Sequence, residues 1–198
     1  MRVFIHTIKW KILKSHHVLI RIGAICMSTA IRKFQVDDIP LKVKWINDEK
    51  NNKYLHYDLP LREDKTLEWF KTLAGRNDRV DYTITYAGEP VGLIGLLEID
   101  LERKDAEYYI CIGEGRYKGK GIAQTATRLL IKEAEVNLKL KNIYLYTEVD
   151  NITAQKLFEK CGFINKTLKK NNLLYNGRYI DRYYYNLKLE NYMSNVGG

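Results

Sequence analysis

From Ile31 onward the apolar positions of this chain switch repeatedly between a two-residue and a three-to-four-residue repeat, the pattern of strands alternating with helices. Ile31–Gln35 predicts a short strand. Asp37 and Asp38 then open a helix that places Ile39, Val43 and Ile46 on one face. The polar run 47–52, continuing through 54–59 to Pro60, predicts a loop. Leu67, Phe70 and Leu73 predict a second helix, with Glu63 and Asp64 at the end where the helix dipole favours carboxylates. Two β-rich runs, 81–86 and 91–100, flank Ala87-Gly88-Glu89-Pro90 and predict an antiparallel hairpin. A strand over 107–112 leads into the glycine-rich, basic stretch 113–121. Beyond it Ile122, Ala126, Leu129, Leu130 and Ala134 share one helical face. A strand over 142–149 follows, then a helix marked by Ala154, Leu157, Phe158 and Cys161 and stopped by Gly162. Strands over 163–170 and 179–189 around the Asn176-Gly177 turn close the pattern.

A chain of 198 residues with 45% hydrophobic content suits a single core. The formal net charge of +9 is unevenly spread: Arg2, Lys9, Lys11, Lys14 and Arg21 stand within the first 26 residues without an acidic partner, which leaves +4 for the rest. No basic run recurs in the regular part, so a dedicated nucleic-acid binder is disfavoured, whereas an anionic ligand fits a modest positive excess. Val18–Cys26 is apolar but interrupted by Arg21, and falls short of the ~20 residues of a membrane span. Residues 1–26 therefore read as an extension ahead of a start at Met27, with a membrane-surface segment or an extra ordered helix as alternatives. Residues 27–193 read as one folded domain and 194–198 as a tail. Cys26, Cys111 and Cys161 lack C-x-x-C spacing and a histidine partner at ligand spacing, so they are expected to be reduced packing residues of a cytoplasmic protein, with no metal site.

The sharpest local feature is Arg116-Tyr117-Lys118-Gly119-Lys120-Gly121-Ile122-Ala123, between a strand and an amphipathic helix. Glycines let backbone approach a ligand, and free N–H groups at a helix start attract anions. On these residues alone a phosphate cradle and a flexible basic turn fit equally well. Neither G-x-x-x-x-G-K-[ST] nor G-x-G-x-x-G occurs in this segment, which disfavours a P-loop or a dinucleotide fold. Further on, Asn151 suits a helix N-cap and Gly162 a helix C-terminal glycine.

Taken together, the loop and the segment Asn151-Ile152-Thr153-Ala154-Gln155-Lys156-Leu157-Phe158-Glu159-Lys160-Cys161-Gly162-Phe163 resemble the GNAT acetyltransferase superfamily. Its pyrophosphate loop reads R/Q-x-x-G-x-G/A and its later helix N-x-x-A-x-x-L-Y-E-K-x-G-F. Two registers fit the loop, one beginning at Arg116 and one at Lys118. The second is preferred because it starts the helix directly after Gly121. The resemblance spans about Ile31 to Leu189 and is nearest the branch of ribosomal-protein N-terminal, spermidine and amino-sugar acetyltransferases.

The resemblance implies an α/β fold with a mixed, mostly antiparallel sheet, a splayed parallel strand pair (107–112 and 142–148) and helices on both faces. It implies acetyl-CoA as co-substrate, held by Ile110, Ile112, Lys118, Gly119, Lys120, Gly121, Ile122, Ala123, Asn151, Phe158 and Lys160. The implied acceptor is a primary amine of a small molecule, an amino sugar or a polyamine. A protein N-terminus, or a non-catalytic acyl-CoA-binding sensor, is the alternative. Neither nucleic acid nor membrane is expected as a partner, and a homodimer is left open. Glu107, Glu98 and Glu148 are candidate bases, with His56 as a further base or substrate contact. Where the family carries a tyrosine near the leaving thiolate this chain has Phe158, so Tyr146 or Tyr144 of the neighbouring strand is the replacement acid, unless none is needed.

Overall fold

The computed structural model describes residues 28–190 and Tyr192. The extension over 1–26 and the tail over 194–198 lie outside the described residues. Seven strands form one sheet: β1 (Thr29–Lys33), β2 (Val80–Tyr86), β3 (Glu89–Asp100), β4 (Asp105–Ile112), β5 (Asn142–Glu148), β6 (Ile164–Tyr175) and β7 (Arg178–Lys188). Their order across the sheet is β1-β2-β3-β4-β5-β7-β6. Every neighbouring pair is antiparallel except β4–β5, which is parallel. The expected mixed sheet with a single parallel pair is what the chain forms.

Five α-helices connect the strands: α1 (Ile39–Asn47), α2 (Glu49–Asn52), α3 (Glu63–Thr72), α4 (Ile122–Val136) and α5 (Ile152–Lys160). Side chains alternate across a strand, so the two faces can be separated residue by residue. Ile94 and Leu96 of β3, and Ala106 and Tyr108 of β4, join the larger core with Ile122, Ala126, Leu130 and Ile131 of α4. Leu93 and Cys111, from the other face of the same strands, pack with Phe34, Ile39, Trp45 and Ile46 of the α1 region. The helices thus cover both faces, as expected. Cys111 and Cys161 are buried free thiols.

Three local readings need correction. The stretch 47–52 was expected to be loop, but Asp48 accepts a hydrogen bond from the Lys50 amide and caps the single-turn helix α2. On α4 the buried stripe contains Thr127 and Ile131, whereas Leu129 is only half-buried. On α1 the buried residues are Ile39, Lys42, Trp45 and Ile46, with Val43 half-buried, so a lysine occupies a core-facing position.

The parallel pair carries the feature that positions the site. β4 and β5 pair only through Asp105↔Asn142, Ala106↔Ile143 and Glu107↔Tyr144, although both strands run on for several residues. Beyond Glu107, β4 keeps its pairing with β3 and β5 keeps its pairing with β7. The strands therefore splay, each leaving one edge without a ladder partner.

At the top of β4 the chain passes under Trp45, which is 1% exposed, and a Cβ on Gly113 would overlap the indole ring. Overpacking of this kind costs about 1–3 kcal/mol. Gly115, two residues on, has open space where its Cβ would stand and no positive φ. Gly113→Ala is expected to lower stability in urea denaturation by about 2 kcal/mol or more, and Gly115→Ala to leave it nearly unchanged. Equal stability of the two variants would show that Trp45 does not pin this corner.

Candidate active site

The loop after β4 turns through a short 3-10 segment, Gly115–Tyr117, and reaches α4 through Gly119 and Gly121, whose φ angles are 77° and 76°. These are left-handed values that other L residues adopt only at a cost of about 1–2 kcal/mol. Gly121 is the N-cap of α4, and the helix starts at Ile122 as the Lys118 register requires. The first amides of a helix have no intrahelical acceptor, so they point out of its N-terminus with the positive end of the dipole. A Cβ built on either glycine meets nothing within 4 Å, so the space beside the loop is open. Lys118 reaches across this space and donates to Asn51 Oδ1 at 2.8 Å. Asn51 in turn donates to the Gly113 carbonyl at 2.8 Å. α2 therefore anchors the loop lysine.

A cleft of about 1180 Å³ runs from this loop between the splayed strands and under α1–α3. Ile110, Ile112, Lys118, Gly119, Gly121, Ile122, Ala123, Asn151, Phe158 and Lys160 all line it, as do Glu107 and Tyr146. Lys120 is not among the lining residues; its ammonium lies 5.4 Å from the centroid of the ring of Tyr117, which is. Glu98 lies outside, in a separate hollow with Asp100, Arg103 and Tyr144. A register shift between Leu97 and Asp100 puts Glu98 at φ 50°, and this bulge re-aims its carboxylate away from the cleft.

Glu107 is the last residue of β4 that pairs with β5, so its carboxyl stands where the gap begins. Burial raises its pKa, the nearby Glu98 charge adds to that, and the Arg182 guanidinium opposes it. Across the gap the two strand tyrosines differ. Tyr144 donates to Glu98 Oε2 at 2.9 Å and is committed there. The Tyr146 hydroxyl has no hydrogen-bond partner among the described residues, and Arg182 lies 4.6 Å from its ring centroid. His56, on the segment after α2, shares a 2.8 Å hydrogen bond with Glu148 Oε1 and packs edge-on against Tyr175 with centroids 5.0 Å apart. Phe158 is 5% exposed and packs edge-on against Tyr108 with centroids 5.8 Å apart, so the ring is part of the core as well as the cleft wall. Asn151 is the expected cap: its Oδ1 accepts from the Ala154 amide at 3.2 Å.

Some lining residues carry no signal that sequence reasoning used. Arg182 sits on β7 opposite Glu148, in a strand read only as a hairpin arm. Tyr57, Trp69 and Arg79 come from three separate segments that only the fold brings to one wall. Lys42 had a detectable signal: it lies on the same helical stripe as Ile39 and Ile46.

A model of the acetyltransferase (GNAT) domain matches residues 29–164. A spermidine N(1)-acetyltransferase of Vibrio cholerae is 35% identical over 91 residues, which are 46% of this chain and 52% of that protein. The L-amino acid N-acetyltransferase AaaT of Escherichia coli is 33% identical over 97 residues, 46% of this chain and 59% of that protein. The chain thus spans little more than half the length of these relatives. A crystal structure of the Vibrio cholerae spermidine N-acetyltransferase in complex with CoA and spermine superposes with a TM-score of 0.77. It is 25% identical to this chain, and the match covers 83% of this chain and 98% of that one. A sheet opened after Glu107, a glycine turn at the N-terminus of α4 and a family match over most of the described residues lead to one conclusion: the chain belongs to the GNAT acetyltransferase family.

Proposed function

We propose that this protein transfers the acetyl group of acetyl-CoA to a primary amine of a small molecule. The carrying observation is that one cleft joins an open strand edge to a glycine-lined helix N-terminus. Bound acetyl-CoA supplies an activated thioester; the chain holds it and manages the proton of the amine. The amides at Gly121–Ala123 and the Lys118 ammonium receive its phosphates. The free edge of β4 beyond Glu107 offers backbone donors and acceptors to the amide-bearing arm, which a buried edge otherwise leaves unpaired at a cost. The relatives named for acting on spermidine and on L-amino acids support a small amine as acceptor.

Glu107 is the base in this reading. Its raised pKa brings a carboxylate closer to the value at which it both stays ionised near neutrality and accepts a proton readily. Tyr146 is the hydroxyl left free to protonate the departing thiolate, since Tyr144 is tied to Glu98. Positioning of the amine beside the thioester supplies much of the acceleration. A protein N-terminus as acceptor, or a sensor that binds acyl-CoA without turnover, is the competing outcome, the second resting on Phe158.

The reading is tested by release of free CoA thiol across a panel of small amines and peptides. Turnover of at least one small amine is expected; tight acetyl-CoA binding with no turnover would replace the enzyme with a sensor. Gly121→Asp sets a carboxylate against the phosphates, and Gly121→Ala is its control: both carry the cost of about 1–2 kcal/mol of a side chain at φ 76°, but only aspartate adds the charge. Calorimetry is expected to give at least about tenfold weaker acetyl-CoA binding, and unchanged affinity would remove the loop from the site.

Glu107→Gln is expected to lower kcat by about 10²–10⁴-fold with little change in the acetyl-CoA KM. In the wild type, activity rises with pH as the Glu107 carboxyl, with its raised pKa, loses its proton; the glutamine variant lacks that limb. A limb retained in the variant would assign the base elsewhere, with the His56–Glu148 pair first in line. Tyr146→Phe should slow turnover and Phe158→Tyr should raise it or leave it unchanged. Unchanged turnover in Tyr146→Phe would remove Tyr146 as the acid.

A further inference from the structure

Eight lysine and arginine side chains line the cleft, against two carboxylates, Glu107 and Glu148. Lys50, Lys65, Lys156 and Lys160 are exposed, and Lys118, Arg79 and Arg182 each donate to an acceptor. Lys42 is neither exposed nor bonded. It rises from α1 into the cleft wall, is 6% exposed, and among the described residues makes no hydrogen bond and no ion pair. Its ammonium stands 3.3 Å from the centroid of the Trp69 ring and 5.6 Å from that of Phe34.

The nearest carboxylate is already occupied. Asp81 accepts from Arg79 at 2.8 Å and 2.7 Å through its two oxygens, and from the Tyr109 hydroxyl at 2.6 Å. Arg79, held in that pair, lies 5.1 Å from the same Trp69 ring. Tyr57 lines the same wall, feels the same Asp81 and Arg79 charges, and its hydroxyl has no partner among the described residues. Two donors thus line the cleft without an acceptor among the described residues, beside an arginine paired with Asp81. A largely buried ammonium without an acceptor is costly: burial, opposed by the Asp81 charge and aided by that of Arg79, lowers the Lys42 pKa to about 8. At pH 7 it remains mainly protonated.

We propose that Lys42 and Tyr57 form a subsite for an anionic group of the acceptor, a carboxylate or a phosphate, held at one end of the cleft while the reacting amine lies near Glu107. This rests on the amine-acetylation reading and deepens it. A protonated amine accepts from neither donor, and a hydroxyl oxygen accepts but carries no charge; anionic oxygens accept from both and also offset the ammonium charge in a low dielectric. A polycation placed against the same wall would add repulsion to desolvation. The acceptor is accordingly an amine that also carries a negative group.

The test uses matched acceptors that differ by the anion: L-phenylalanine against phenethylamine, and glucosamine 6-phosphate against glucosamine, with spermidine as the polycation. In the wild type the anionic member of at least one pair should exceed its neutral counterpart in kcat/KM by about tenfold or more. The pair that responds identifies carboxylate or phosphate. Lys42→Met, which keeps length without charge, should narrow that ratio to about twofold, and Tyr57→Phe should narrow it part of the way. A loss of fold would lower both members of a pair together, whereas a lost anion contact changes their ratio. The subsite is overturned if neither pair shows a preference, if spermidine outperforms both anionic acceptors, or if the ratio survives in both variants. If no amine is turned over at all, the amine-acetylation reading fails, and calorimetry of L-phenylalanine and glucosamine 6-phosphate decides the subsite separately. Binding to the wild type that is lost in Lys42→Met supports it; no binding, or equal binding, overturns it.

Discussion

The organisation of this protein depends on the place where β4 and β5 stop pairing. A parallel ladder that ran to the ends of both strands would close the sheet and bury its hydrogen bonds. Here it ends at Glu107↔Tyr144, while β3 and β7 hold the outer edges of the two strands in place. The opening is therefore rigid, because each strand is still clamped on its far side. Two separate cores fix it: α4 and α5 pack beneath the gap on one face, and α1 and α3 cover the other. The glycine-loop end of the cleft is set by the same strand, since the loop to α4 leaves directly from the end of β4.

Desolvation then sets the chemistry along the cleft. Burial disfavours the charged form of an acid and of a base alike. Glu107 moves up and Lys42 and Arg182 move down, each with burial as the leading cause. The protein distributes the remedies unevenly. Glu107 and Arg182 share a region and partly offset one another, and Arg79 is locked to Asp81. Glu98 lies outside the cleft but still acts through its charge on Glu107. Lys42 has the Trp69 and Phe34 rings beside its ammonium but no carboxylate of its own among the described residues, so its burial is the least compensated of these.

What the sequence revealed followed from how local each signal was. The α4 helix and its loop were legible because glycine spacing and a 3.6-residue repeat lie within one continuous stretch, and Asn151 and Gly162 announce the ends of α5 by their backbone roles. The register at Lys118 was readable for the same reason. Other features were not local. Nothing in 97–100 announces the bulge that turns Glu98 aside, and the equal spacing of Tyr144 and Tyr146 conceals that only one hydroxyl is occupied. A four-residue helix such as α2 has no apolar period to display, so its role in anchoring Lys118 through Asn51 emerges only in three dimensions. Lys42 was hidden by its type: a lysine reads as solvated surface even where its helical position points inward.

The central claim is that acetyl-CoA lies in the opening between β4 and β5 with its phosphates on the loop to α4. Amide hydrogen exchange with and without acetyl-CoA tests it most directly. The account predicts slowed exchange in peptides covering 108–112 and 118–123, with the hairpin β6–β7 turn around Asn176-Gly177 unaffected. Protection elsewhere, with those two segments unchanged, would contradict it.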